Sequence, residues 1–257
     1  MHHAHIDKFA QGDSLVHRLD ARAKLLAVVA FTAVVISYDR YAVGDLLPLA
    51  IFPLAMLWLA GVPTWFALRR AIVLVPFIAM LALLSPLYDR AASRENIGPW
   101  TLFVSGGWIT ATDVTLKFFL SVLAMTALMC TTPFSLMLEA MRKMLVPKIL
   151  VMQLGFLYRY IFVLVDEAMR IRRARDFRGA SRAPISRRLA VVGGVIGMLF
   201  GRTLDRSDRI HLAMTARGYR GEPRSLSRLN FGWSDAAFLI FVAAYLFACR
   251  FVYSRWF

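Results

Sequence analysis

Long apolar runs, each bounded by short polar breaks, leave this chain few folds. The runs cover residues 24–38, 44–61, 71–88, 113–131 and 236–253. In hydrocarbon every backbone N–H and C=O must find its partner inside the protein, so runs of this kind are read as membrane-spanning helices. Hydrophobic residues make up 59% of the 257 positions and mean hydropathy is +0.58, well above the soluble average. The fold class that follows is an all-α, polytopic helical membrane protein with about five transmembrane helices.

The net charge is +15. With an N-terminus inside, residues 1–24, 61–70 and 132–234 face the cytoplasm and hold 25 of the 31 Lys and Arg. That asymmetry favours N-in, C-out. Three parts follow. Residues 1–131 are an N-terminal tail and the first four spans, 132–234 are a charged cytoplasmic-side region, and 235–257 are the last span. A nucleic-acid partner needs a basic face on a folded soluble domain; here the basic helices are half apolar, so no nucleic acid is expected. The opening residues are too polar for a cleavable signal peptide.

Details along the spans shape further expectations. Lys24 flanks the first span. Pro48, Pro53 and Pro76 lie inside the second and third, where they would kink a helix. Arg69 and Arg70 read as a short basic loop, and residues 89–112 as a longer polar loop with Trp100 and Trp108 suited to the membrane interface. Lys117, one turn into the fourth span, is expected to snorkel to the surface. From Pro133 to Val146 the spacing suggests an interfacial helix. Phe134, Leu136, Met137, Met141, Met144 and Leu145 fall on one side of it, and Glu139, Arg142 and Lys143 on the other.

Two long helices follow, 148–177 and 185–216, each ending in an Arg-Gly pair: Phe177-Arg178-Gly179 and Ala216-Arg217-Gly218. A glycine just past a helix end is an ordinary cap, and arginine there complements the helix dipole. An Arg held at a helix tip can also enter a groove and bind a carboxylate bidentately. Two tips alike would suit two similar partner domains. Within the second helix Gly193, Gly197 and Gly201 share one face, so a helix can approach closely there. That seam serves either packing within this chain or a partner helix.

Other chemistry is weakly represented. Gly201-Arg202-Thr203 lacks the upstream glycine and the lysine of a phosphate loop. His2, His3 and His5 are candidate metal ligands with no closing Cys, Asp or Glu set, which leaves a surface segment as the alternative. Cys130 and Cys249 both sit in apolar runs and read as buried thiols. No catalytic, cofactor or metal residue is expected on this chain, and it is not read as an enzyme. A self-contained channel or secondary transporter remains a second class, although few ionisable residues lie mid-span.

The stretch Glu167 to Gly179, E-A-x-R-I-x-x-A-x-x-x-R-G, resembles the first signature of the transmembrane coupling (T) subunits of energy-coupling factor (ECF) ABC transporters. Asp205 to Gly221, DRSDRIHLAMTARGYRG, resembles the second. Phe177 stands where the family has Ala. The opening HIDKFA and SLVHRLDARAKL are similar to the CbiQ-type cobalt members. The resemblance implies that the two long helices are cytoplasmic coupling helices between two ABC-type ATPases (CbiO-like) and a substrate-binding membrane subunit (CbiM-like), with a small CbiN-like helper. Phe177, Arg178, Gly179, Ala216, Arg217 and Gly218 would be the ATPase contacts. ATP and magnesium would sit on the ATPases and cobalt on the substrate subunit, in a bacterial inner (plasma) membrane where this chain is multi-pass. Nickel or a vitamin is the alternative cargo.

Overall fold

The computed structural model describes residues 12, 14–39, 43–88, 92–97, 100–144, 146–177, 184–219 and 231–251. In chain order the helices are α1 (Leu15–Arg18), α2 (Ala21–Ile36), α3 (Val43–Leu46), α4 (Ile51–Leu59), α5 (Thr64–Ile72), α6 (Val75–Tyr88), α7 (Gly106–Thr131), α8 (Phe134–Lys143), α9 (Lys148–Phe177), α10 (Ile185–Ala216) and α11 (Trp233–Phe251). The architecture is helical, as the apolar runs require. Among the described residues three helices are long and apolar enough to cross a membrane: Gly107–Thr131, Lys148–Phe177 and Trp233–Phe251. The described residues fall into two units, one within 4–140 and 229–257, the other within 141–228.

In the first unit α7 is central, with α2 and α3 to α6 packed on it and α11 against α2. Along α2 the buried residues Ala27, Val28, Phe31 and Val35 recur at helical spacing and face this core. Phe31 stacks on Phe52 of α4 with ring centroids 4.9 Å apart.

Two sets of polar contacts fix the helix ends. At the first, Asp20 caps α2 by accepting from the Arg22 N–H at 2.8 Å. Its own N–H donates to Asp235 Oδ1 of α11 at 2.7 Å. The other Asp235 oxygen accepts the Gly232 N–H at 2.8 Å, closing the start of α11 as the acid of a capping box does. Lys24 is 2% exposed, and its ammonium donates to the Thr131 carbonyl at the end of α7, 2.9 Å away. A cation on the last carbonyl of a helix also meets the negative end of its dipole. At the opposite ends of α2 and α11, Lys117, about three turns into α7, pairs with Asp113 at 2.9 Å and donates to the Tyr38 carbonyl just past α2 at 2.7 Å. Arg250 of α11 lies 4.8 Å over the Tyr38 ring.

Several expectations are corrected. Residues 89–112 are not a loop throughout: β1 (Ala92–Ile97) pairs antiparallel with β2 (Trp100–Ser105), Ile97 opposite Trp100, and α7 begins at Gly106. Arg69 and Arg70 lie in the last turn of α5, which Pro63 opens. The second run is divided. Pro48 starts a 3₁₀ turn, Pro48–Ala50, and Pro53 falls in the first turn of α4, where the missing N–H costs no intrahelical bond. The Tyr245 hydroxyl of α11 donates to the Pro48 carbonyl. Gly61, with φ 66°, closes α4: Val62 N–H reaches Leu57 O and Gly61 N–H reaches Trp58 O, a Schellman motif. Lys117 does not snorkel; it is held by Asp113 and Tyr38. Glu139 belongs to the covered face of α8 with Met137 and Ala140, while Arg142 and Lys143 are exposed.

Asp235 therefore joins two helix starts through two backbone N–H groups. Asp235→Ala is expected to destabilise the protein in detergent by about 2–4 kcal/mol, the cost of orphaning two buried donors. Asp235→Asn, which keeps one carbonyl acceptor, is expected to lose roughly half as much. Thermal unfolding followed by circular dichroism checks both, and equal losses would contradict the two-acceptor account.

Candidate functional site

The second unit holds the two long helices, and their limits follow from the sequence. Pro147 precedes α9 and Pro184 precedes α10, and proline before or at the first turn is compatible with a helix start. α9 has 30 residues and α10 has 32, so each is about 45–48 Å long. They run antiparallel, because the end of α10 meets the start of α9 while Glu167 meets Arg202. The Tyr219 hydroxyl, just past α10, reaches Met152 Sδ in the first turns of α9. Glu167 near the middle of α9 pairs with Arg202 near the middle of α10.

The end of α10 has a defined geometry. Arg217 is the C-cap residue, with φ −88° and ψ 11°. Gly218 follows at φ 79°, a conformation that costs a residue with a Cβ about 1–2 kcal/mol. Its N–H donates to the Thr215 carbonyl at 2.9 Å, and the Tyr219 N–H donates to the Met214 carbonyl at 3.0 Å. These are the two bonds of a Schellman motif. Ala216, Arg217 and Gly218 are all exposed, so the guanidinium is presented to solvent on a rigid end. Phe177, the last residue of α9, is 92% exposed. Arg178 and Gly179 lie outside the described residues, as do His2, His3 and His5. Because the helices are antiparallel, Phe177 and Tyr219 stand far apart. The 25 residue steps along α9 from Met152 to Phe177 span roughly 37 Å.

The glycine seam faces away from α9. Along α10 from residue 191 onward the partly covered residues are Val191, Val195, Leu199, Thr203, Ile210 and Met214. Gly193, Gly197 and Gly201 are each offset by two residues from that stripe, which is about 200° around the helix. A Cβ placed on any of the three meets no heavy atom within 4 Å. Among the described residues nothing packs on this face. Ile196, Met198 and Phe200 are exposed beside it.

Sequence reasoning missed the link between the helices. Glu167 was read only as part of a motif, yet its carboxylate takes Arg202 of α10 on Oε1 and Arg170 of its own helix on Oε2, the latter at 3.5 Å. The signal available was a carboxylate within a cationic half-helix, a position where it has several possible partners. A cleft of about 340 Å³ surrounds this link, with Leu164 and Leu199 among its walls and Asp205, Arg206 and Arg209 at its edge. Among the described residues no three His, Cys, Asp or Glu side chains gather as a metal site would need.

Known proteins resemble this chain over most of its length. It is 28% identical over 263 residues to the energy-coupling factor transporter transmembrane protein EcfT of Bacillus subtilis, covering 95% of this chain and 97% of that protein. The protein of the same name from Lacticaseibacillus paracasei is 27% identical over 226 residues, covering 84% and 85%. An uncharacterized protein of Methanocaldococcus jannaschii is 24% identical over 243 residues, covering 91% and 82%. The model of the CbiQ family, described as cobalt transport protein, matches residues 12–228, a stretch that takes in α1 to α10. This chain belongs to the CbiQ family of cobalt transport proteins.

Proposed function

We propose that this chain is the transmembrane coupling component of an ATP-driven importer of the energy-coupling factor class, and that its cargo is cobalt(II). The EcfT relatives carry that transporter class in their names, and the family description names cobalt. The chain spans a bacterial plasma membrane about five times, N-in and C-out. It joins two CbiO-like ATPases, which bind ATP and magnesium, to a CbiM-like membrane subunit that binds the cargo, with a CbiN-like helper. It performs no catalysis itself.

The observation that carries this reading is the end of α10. Arg217 is exposed on a helix closed by a Schellman motif, a rigid mount for a charged group. A plain cap needs only the glycine. An exposed arginine at the cap, repeated in sequence by Arg178 at the end of α9, fits a carboxylate-bearing groove on each of two ATPases. The separation of the two helix ends fits two docking points rather than one. Phe177 and Gly179 beside Arg178, and Ala216 and Gly218 beside Arg217, would complete the two ATPase contacts. The open face of Gly193, Gly197 and Gly201 fits a helix of the substrate-binding subunit, since small residues let backbones approach and no residue described in this chain occupies that face.

Three outcomes are expected. Arg178→Glu combined with Arg217→Glu is expected to abolish co-purification of the ATPase in mild detergent while membrane insertion persists; wild-type recovery of the ATPase would remove the docking assignment. Gly218→Val, which strains the cap by about 1–2 kcal/mol, is expected to weaken ATPase recovery while the chain stays folded. Gly197→Leu is expected to leave the melting temperature of the isolated chain within about 2 °C, because the new side chain meets open space. In the complex it should release the substrate-binding subunit but not the ATPase, as quantitative mass spectrometry of the purified complex would reveal. Uptake of radiolabelled cobalt(II), competed by unlabelled nickel(II), distinguishes the cargo. Strong inhibition at equimolar nickel points to nickel, and the absence of any ATP-driven metal uptake points to a vitamin.

A further inference from the structure

We propose that the Glu167–Arg202 ion pair is the pivot on which α9 and α10 turn against one another. The inference rests on the coupling reading, since only a coupling component needs its two helices to move. The Glu167 carboxylate is shared between the helices, Oε1 to Arg202 and Oε2 to Arg170. Arg170 fixes it to its own helix through Oε2, and Oε1 is presented to Arg202 of α10. Glu167 is 20% exposed at its side chain and Arg202 is 58% exposed, so the pair is wetted and open to rearrangement. An ion pair of this kind adds little to stability. It fixes where two helices meet without fixing the angle between them.

The surroundings match that role. The pair lies on a cleft of about 340 Å³, so the crossing is not closed by packed side chains. Leu164 and Leu199 supply apolar wall, and Arg206 and Arg209 line the edge. A second polar contact between these helices is soft, the Tyr219 hydroxyl on the Met152 thioether, and it sits at the end of the lever where it can open. Arg217 lies 15 residues beyond Arg202, about 22 Å, whereas Gly197 lies five residues before it, about 8 Å. A helix turning on Arg202 therefore converts a movement of its Arg217 end into one about a third as large, in the opposite direction, at the glycine face. The ATPase end gains distance and the glycine face gains force. Glu167 and Arg202 are thus positioning residues for coupling.

Distances between spin labels in the complete complex, purified from its native host and measured with and without ATP and vanadate, test the pivot. Three double-cysteine variants place labels on exposed side chains at matching levels of the antiparallel pair: Leu157→Cys with Leu212→Cys, Met169→Cys with Phe200→Cys, and Arg173→Cys with Ile196→Cys. Cys130 and Cys249 are buried and shielded from the label. The middle pair, beside Glu167 and Arg202, is expected to change by less than a third of the change at the 157–212 pair, with the 173–196 pair intermediate. Adding Glu167→Gln is expected to broaden the middle distance distribution. The charge swap Glu167→Arg with Arg202→Glu is expected to narrow it again. A middle pair that moves as far as the outer pairs, no nucleotide-driven change at any pair, or a distribution indifferent to Glu167→Gln would each overturn the pivot. The two readings fail differently. If the wild-type chain brings down no ATPase, the coupling reading itself falls; if the ATPase is present and the middle pair moves, only the pivot does.

Discussion

The first unit depends on burying Lys24 among helix ends. A lysine at 2% exposure is costly unless its charge meets oxygen, and here it meets the terminal carbonyl of α7. That bond brings the end of α7 to the start of α2, and Asp20 and Asp235 bring the start of α11 to the same place. Lys117, about three turns into α7, gathers the opposite end of α2 at Tyr38, where Arg250 of α11 also lies. With polar groups at both ends and apolar side chains between, α2 and α11 run one way and α7 the other. The apolar middle supplies no such direction, because in hydrocarbon one apolar face packs much like another. The buried charges supply it.

The second unit is built on the opposite plan. α9 and α10 expose large apolar side chains such as Leu157, Ile161, Ile196 and Phe200 along much of their length. Two helices in contact can cover only one stripe each, and on α10 that stripe follows Val191, Val195 and Leu199. The remaining apolar surface calls for lipid or another protein. The glycines lie on it about 200° from the covered stripe, so one face of α10 meets α9 and another is left smooth for something else.

Much of this was legible in the sequence, for identifiable reasons. Proline and glycine act through the local backbone, so Pro147, Pro184 and Gly218 marked the ends of α9 and α10, and these helices stand where the sequence predicts them. The apolar runs likewise gave the helical architecture. What was missed depends on neighbours distant in sequence. Lys24 looked like a flanking cation because its partner, Thr131, is 107 residues away. Glu139 was assigned to the charged face of α8 by helical spacing, whereas its burial is set by tertiary packing. Lys117 was expected to reach for the surface because Asp113 and Tyr38 were not seen as its partners. The hairpin 92–105 lacked a clean alternation to separate it from loop. At the candidate site, the Arg-Gly ends and the glycine seam were visible as motifs. The direction of the seam and the Glu167–Arg202 link were not, since both depend on how α9 lies along α10.

A coupling device must be stiff where force enters and compliant where parts turn, and the two properties call for different interactions. Stiffness at the end of α10 comes from backbone bonds: the Tyr219 and Gly218 N–H groups satisfy the last carbonyls, so Arg217 cannot move without unwinding the cap. An α-helix then carries that displacement along its length, because each residue is bonded to the one four places away. Compliance at the crossing comes from side chains. A partly exposed carboxylate–guanidinium pair keeps its attraction over a range of angles, whereas close-packed apolar side chains hold one arrangement until it breaks. Replacing the open crossing with a filled apolar contact would hold the two helices more firmly and transmit less. The exposed, charged middle of α9 and α10 is therefore consistent with a pair of helices whose work requires a change of angle.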